Sequence, residues 1–308
     1  MCSQITDTVF LIRPVDFRLN SETSASNAFM SGDASPDDVA ARADAEFDGL
    51  ANALRAHGVR VLEFADDERV SPDAVFPNNW ISFHARGIVA IYPMLAPSRR
   101  REVRTAIIDQ IEAETGRRWP TRVDMTSLVK EDAFLEGTGS VVLDRPNRVA
   151  FACMSPRTTA AALAVFEARV GYEVVTFDAF EAGGQPLYHT NVMMSIAEGT
   201  ALICLECMPE NKSRRLVRER LERGGREVVE LTMSQLHAFA GNALALRGRG
   251  GRQFLFMSRQ ASDSLTDAQT SAIEAHAEIV AVAVPTIETV GGGSVRCMIA
   301  EVHGTDAN

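Results

Sequence analysis

Residues 191–207 read NVMMSIAEGTALICLEC, two apolar runs separated by a short polar stretch containing one glycine. Two such runs joined by a few residues with Gly are expected to fold back as a β-hairpin. A helical stretch at 213–223 and a returning apolar run at 228–231 follow. The same order recurs after WISFHARGIVAIYP (80–93), SVVLDRPNRVAFACM (140–154) and NALALRGRGGRQFLFM (242–257). An Asn or Gly opens each hairpin, at Asn79, Gly139, Asn191, Asn242 and, for a fifth, Gly293, with gaps of 60, 52, 51 and 51 residues. Self-similarity near fifty residues points to a propeller or array.

The fifth unit, GSVRCMIAEV at 293–302, runs out of chain before a second strand. The amino-terminal run TVFLIRP (8–14) is expected to supply it, followed by a helix at 36–57 and a strand at 59–64. The expected architecture is therefore α/β, a five-bladed α/β propeller of hairpin–helix–strand repeats in which both chain ends complete one repeat. A doubly wound sheet fits less well, since its strands alternate singly with helices. No proline-rich linker divides the chain, so one domain over 1–308 is expected. Further helices are expected at 97–115, 156–169 and 266–276, with Ser213 capping the one at 213–223.

At 308 residues with 46% hydrophobic side chains, the chain can bury a large core and is not a disordered composition. A net charge of −10 argues against a general nucleic-acid or anionic-membrane partner. The longest apolar run, 279–287, contains Pro285 and is far short of a bilayer span. The opening MCSQITDTVFLIRP has no basic stretch followed by a long apolar one, and the five cysteines (Cys2, Cys153, Cys204, Cys207, Cys297) are odd in number and scattered. A reducing, cytoplasmic setting is expected, with cysteines as thiols. No coiled-coil repeat speaks to assembly, and a homo-oligomer stays open.

In a ring, the hairpin mouths converge on the centre, where polar residues suggest chemistry. Cys297 follows three glycines in ETVGGGSVRCMIAEV. Such a loop can present backbone N–H groups to an anion beside a nucleophilic thiol; a packed cysteine in an apolar strand is the plain alternative. His189, in GGQPLYHTNVMMS, is the one histidine of six at a hairpin mouth and suits a proton shuttle. Glu136, in AFLEGTGSVVL, could orient substrate N–H groups or hold a histidine protonated. Asp73, Asn78 and Asn79 share the first mouth, where turn-making competes with a binding role. Arg99 and Arg157 stand where helices are expected to begin, and a carboxylate ligand would give them a reason. Cys204 and Cys207 form CxxC inside an expected strand, where they would face opposite sides and could not share a metal.

Taken together, DAVFPNNW, LAPSRRREV, LEGTGS, CMSPRTT, YHTN and GGGSVRC, in that order, resemble the pentein, or amidine-modifying, superfamily of arginine deiminase, dimethylarginine dimethylaminohydrolase and glycine amidinotransferase. The resemblance implies a five-bladed α/β propeller needing no cofactor or metal. It implies Cys297 as nucleophile, His189 as proton shuttle and Glu136 as partner of the substrate's terminal nitrogens. Asp73 and Asn79 match substrate-contacting positions, and Arg99 and Arg157 match arginines that hold the substrate carboxylate. The chain is most similar to the branch of citrulline utilisation hydrolases.

Where guanidine-acting relatives carry an acid, this chain has Asn79, and where deiminases read His-x-Asp it has His189-Thr190-Asn191. Carboxylates suit a guanidinium, whereas amides suit a neutral ureido group. The expected activity is hydrolysis of a small amino-acid substrate at its ureido carbon, citrulline giving ornithine, carbon dioxide and ammonia. Succinylarginine dihydrolase, of the same superfamily, handles a guanidine with a less acidic site, so a guanidino substrate stays open. An amidinotransferase, with an amine replacing water, and a ligand-sensing relic of the fold are the other readings. Loss of Cys297, His189 or Glu136 would mark the relic, and all three are present.

Overall fold

Each apolar pair of runs folds back on itself in the computed structural model, which describes residues 3–31, 36–66 and 71–304. Cys2 lies outside the described residues. The chain opens with β1 (Thr8–Arg13), the helix Pro36–Ala56 and β2 (Arg60–Ala65). The next unit has β3 (Ile81–His84), β4 (Ile88–Ile91), the helix Ala106–Thr115 and β5 (Thr121–Asp124). Then come β6 (Val142–Asp144), β7 (Val149–Cys153), the helix Ala160–Val170 and β8 (Glu173–Phe177). The following unit is β9 (Met194–Ile196), β10 (Thr200–Ile203), the helix Asn211–Arg223 and β11 (Glu227–Glu230). β12 (Leu244–Arg247), β13 (Gln253–Ser258), the helix Asp267–Glu274 and β14 (Glu278–Val282) precede the terminal β15 (Ala300–Glu301).

Among the described residues these strands form five three-stranded mixed sheets. In each, a central strand pairs antiparallel with one neighbour and parallel with the strand that returns after a helix. A parallel return needs a crossover long enough for such a helix. The first sheet draws on both ends of the chain: Val9 stands opposite Glu301 and Phe10 opposite Ala300, while β1 runs parallel to β2. The expected completion of the fifth repeat by the amino terminus is thus observed. Phe10, fully buried, packs edge-on against Phe64, Trp80 and Phe83, tying this sheet to the next unit.

Several expected boundaries move, each for a local reason. The stretch 97–115 divides into Pro97–Arg100 and Ala106–Thr115, because buried Arg99 and Glu102 pair through two 2.9 Å bonds across a tight turn. The helix expected from 156 begins at Ala160, where the Thr159 hydroxyl accepts from the Ala162 N–H. Ser155 and Thr158 exchange backbone hydrogen bonds before it, so Arg157 sits in a turn and not in a helix's first residues. Ser213 lies inside its helix, whose cap position is Glu210. β10 ends at Ile203, and Cys204 and Cys207 occupy a turn in which the Cys207 thiol donates to the Cys204 carbonyl at 2.9 Å. The opposite-face argument for this CxxC therefore fails, although both thiols are buried and each has a methionine sulfur 3.8 Å away. No helix of the described residues is long and apolar enough to cross a membrane.

Truncating Phe10 to alanine should destabilise the protein by about 3–5 kcal/mol, as for other buried aromatic deletions. Urea unfolding of Phe10→Ala against wild type measures it; a loss under about 1 kcal/mol would mean the terminal sheet is not anchored by this ring.

Candidate active site

Four of the hairpin mouths are preceded by single helical turns, Pro77–Asn79, Gly137–Ser140, Thr190–Met193 and Ile287–Gly291. These turns lie close together. At Gly139 a side chain's first carbon would fall 2.5 Å from Asn79 Nδ2 and 2.7 Å from His189 Nδ1. Gly137, with φ of 47°, would bring it 2.3 Å from the Asn78 carbonyl. Glycine is required at both for the Asn79, Glu136 and His189 segments to meet.

Glu136 is fully buried, and one carboxylate oxygen accepts from the Leu95 N–H at 3.1 Å. The other lies 2.9 Å from His189 Nε2, 3.5 Å from Arg157 and 3.8 Å from Arg99. Burial opposes ionisation here, but Arg157, the His189 hydrogen bond and Arg99 outweigh it and hold the carboxyl well below its ordinary range. Burial also pushes His189 down, to about 4; Glu136 works against that shift, while Arg157 and Arg99 reinforce it. A neutral imidazole facing a carboxylate carries its proton on Nε2, which leaves Nδ1 with a free lone pair.

The Arg99 guanidinium is committed within the protein, to Glu102, to Asn79 Oδ1 at 2.8 Å and to the carbonyls of Phe76 and Asp73. Burial, only partly offset by Arg99, lifts Glu102 to about 7. Asp73 Oδ2 accepts from Asn20 and Thr23, each at 2.9 Å. Among the described residues, Asp73 Oδ1, Asn79 Nδ2 and both polar atoms of the Asn78 side chain are buried without a partner. Buried polar atoms are seldom left unpaired, so these mark where a ligand would complete the bonding.

Cys297 is 3% exposed and follows the 291–293 glycine run. Its sulfur lies 3.2 Å from Asn242 Nδ2 and 3.5 Å from Asn191 Nδ2. One cavity is lined by Cys297, His189, Asp73, Asn79, Arg99 and Arg157, together with Tyr188, Phe76 and the glycine run. Glu136 stands behind this wall and touches it through His189 and the two arginines; Asn78 and Asn191 are also set back.

Residues 20–31 cover the cavity. Arg157 donates to Ser26 Oγ and to the Thr23 carbonyl, and Asn27 Nδ2 donates to the Gly292 carbonyl at 3.2 Å. Tyr188 lies under the Arg157 guanidinium and donates its hydroxyl to the same Gly292 carbonyl. Thr23, Asn27, Tyr188, Glu102 and Asn242 were not recognisable as site residues in the sequence, although Asn242 opens the fourth hairpin and so held the positional signal. Among the described residues no group of three or more His, Cys, Asp or Glu side chains is arranged to hold a metal ion.

This fold is that of the pentein superfamily. Within it, the chain belongs to the family described as N,N dimethylarginine dimethylhydrolase, eukaryotic, whose model matches residues 13–304. It is similar in structure to the N-terminal domain of ArgZ, an arginine dihydrolase from the ornithine-ammonia cycle in cyanobacteria, solved as a cysteine-to-serine variant bound to substrate. That match has 17% identity, a TM-score of 0.74 and covers 97% of this chain and 99% of the domain. The chain spans 41% of full-length ArgZ. AgrE in a binary complex with L-arginine gives 18% identity and a TM-score of 0.74 over 97% of this chain and 40% of its own. A dimethylarginine dimethylaminohydrolase adduct with S-methyl-L-thiocitrulline gives 15% identity and a TM-score of 0.65, covering 96% and 99%. No curated protein matches the sequence.

Two outcomes follow. Gly139→Ala should lower turnover by about tenfold or more with the fold retained, because a small misplacement of catalytic groups is costly; unchanged activity with a native circular dichroism spectrum would mean the close approach is not needed. His189 is lowered in the fold, so its contribution to stability is fully present above 6.5 and is lost as pH falls toward 4. In that window the unfolded chain binds the extra proton. His189→Gln should therefore remove about 1.4 kcal/mol per pH unit from the slope of stability between those values; urea titrations at several pH values with superimposable slopes would contradict a neutral His189.

Proposed function

We propose that the protein is a cysteine-dependent hydrolase acting on the ureido or guanidino carbon of an arginine-related amino acid, with citrulline the favoured substrate. The observation that carries this reading is the convergence of Cys297, neutral His189 backed by anionic Glu136, and the 291–293 glycine run on one buried cavity. We read the five sheets as the blades of one closed propeller spanning 1–308, a single catalytic unit requiring no cofactor and working in the cytoplasm.

With citrulline, Cys297 Sγ attacks the ureido carbon while His189 Nδ1 takes the thiol proton. Backbone N–H groups of the glycine run receive the charge that develops on oxygen. The C–N bond to the terminal nitrogen breaks, His189 returns its proton, and ammonia leaves a carbamoyl thioester on Cys297. Water, deprotonated by His189, attacks that carbon; the C–S bond breaks and the thiol is restored. The carbamic acid released decomposes to ornithine and carbon dioxide.

Glu136 keeps His189 in the required tautomer and is set back from the cavity, so its role is to orient His189 rather than to meet the substrate directly. Asp73 Oδ1 and Asn79 Nδ2 supply an acceptor and a donor for the ureido N–H and C=O. Asn191 Nδ2 meets Cys297 Sγ from behind the lining at 3.5 Å. Arg157 is assigned to the substrate carboxylate, which would replace Ser26 and the Thr23 carbonyl as its partner. Arg99, already saturated, holds Asn79 and Glu102 in position instead.

A guanidino substrate is the second reading, favoured by the family description and by the arginine named for the similar structures. Ammonia and ornithine release from citrulline, arginine and methylarginines, with and without glycine as acceptor, separates the two readings and tests transfer. Citrulline turnover with at least a 1000-fold loss in Cys297→Ala is expected, on the order seen when a nucleophile is removed. Unchanged turnover in Cys297→Ala would overturn the nucleophile, and arginine as the better substrate would overturn the ureido preference.

A further inference from the structure

Asn242 is fully buried at the mouth of the fourth hairpin. Its Oδ1 accepts from the Arg296 N–H at 3.1 Å, while its Nδ2 faces the Asn191 carbonyl at 3.0 Å and Cys297 Sγ at 3.2 Å. These partners fix which way the amide points. A backbone N–H can only donate and a carbonyl can only accept, so the nitrogen must be the atom turned toward the sulfur. The two Nδ2 hydrogens then have one acceptor each. Asn191 is less determined: its Nδ2 is 3.5 Å from the sulfur and its Oδ1 3.9 Å.

We propose that Asn242 is a further catalytic residue, whose Nδ2–H donates to Cys297 Sγ, favours the thiolate over the thiol and aims it at the substrate carbon. A hydrogen bond to an ionised group is about twice as strong as one between neutral groups, so a donor fixed on the sulfur acts differentially on its two protonation states. An amide delivers this without a net charge beside a sulfur that becomes negative, where a carboxylate would oppose it. The same side chain joins three mouths, through Asn191, its own strand and Arg296, so the position of the sulfur is set by the ring's geometry and not by one strand.

This assignment rests on Cys297 as the nucleophile of the proposed hydrolase, and its test does not depend on the substrate. The pH dependence of Cys297 alkylation by iodoacetamide, read by peptide mass mapping, is compared for wild type, Asn242→Asp and Asn242→Ala, with thermal melts as the folding control. Asn242→Asp keeps the shape and the acceptor for Arg296 N–H but removes the donor, so it guards against simple misfolding. The profile should move to higher pH by about one unit in Asn242→Ala, the size expected for losing one charge-assisted bond, and further in Asn242→Asp, whose carboxylate also opposes the thiolate. Citrulline kcat should fall about tenfold with KM little changed, as for loss of an interaction made with the reacting atom. Superimposable labelling profiles in folded variants would overturn the role of Asn242 and leave the hydrolase reading intact. A shifted profile without turnover of any panel substrate would support Asn242 and overturn the hydrolase reading.

Discussion

A buried carboxylate on which three other groups converge organises this site. Glu136 lies at the head of the second hairpin, out of contact with water, and an isolated charge there would be costly. Arg157, Arg99 and His189 meet it from three separate segments. Arg99 then reaches on to Glu102, Asn79 and the Asp73 carbonyl. Removing one partner of such a network exposes the others to the full penalty of burial. The network therefore binds the first and second hairpin mouths to the third, and the local turns at Gly137–Ser140 and Thr190–Met193 let them approach.

The same carboxylate decides the chemistry available to His189. Its negative charge fixes the imidazole proton on Nε2, and burial together with two nearby arginines keeps the ring neutral. The cavity lining includes His189, Arg99 and Arg157, with Glu136 behind them, and Cys297, whose sulfur the Asn191 and Asn242 amides meet from behind the lining. Asp73 Oδ1 and Asn79 Nδ2, on lining residues, are still without partners among the described residues.

Much of the fold was legible because hairpins, helices and returning strands recur at near-constant spacing, and even the pairing of β1 with β15 follows from the incomplete fifth repeat. The mouths also brought Cys297, His189, Asp73, Asn79, Arg99 and Arg157 to one cavity as their positions in the repeat suggested. Roles were harder to read than positions. Arg99 looks like an anion-binding arginine in one dimension, but its partners lie in Pro77–Asn79 and at Glu102, contacts visible only after folding. Glu136, expected beside the substrate's nitrogens, is not among the residues that line the cavity, and it meets His189, Arg157 and Arg99, which are. The Cys204–Cys207 turn broke a strand reading because apolar residues pattern alike in a strand and in a buried turn. Residues 20–31 have no periodicity, so their cover over the cavity depends on hydrogen bonds to Asp73, Arg157 and Gly292 that no local pattern announces.

Acid-quenched mass spectrometry during citrulline turnover tests the covalent route through Cys297. A peptide containing Cys297 that has gained citrulline less ammonia is expected, disappearing as substrate is exhausted. Steady turnover with Cys297 unmodified at every quench time, or the same adduct on another side chain, would contradict this route.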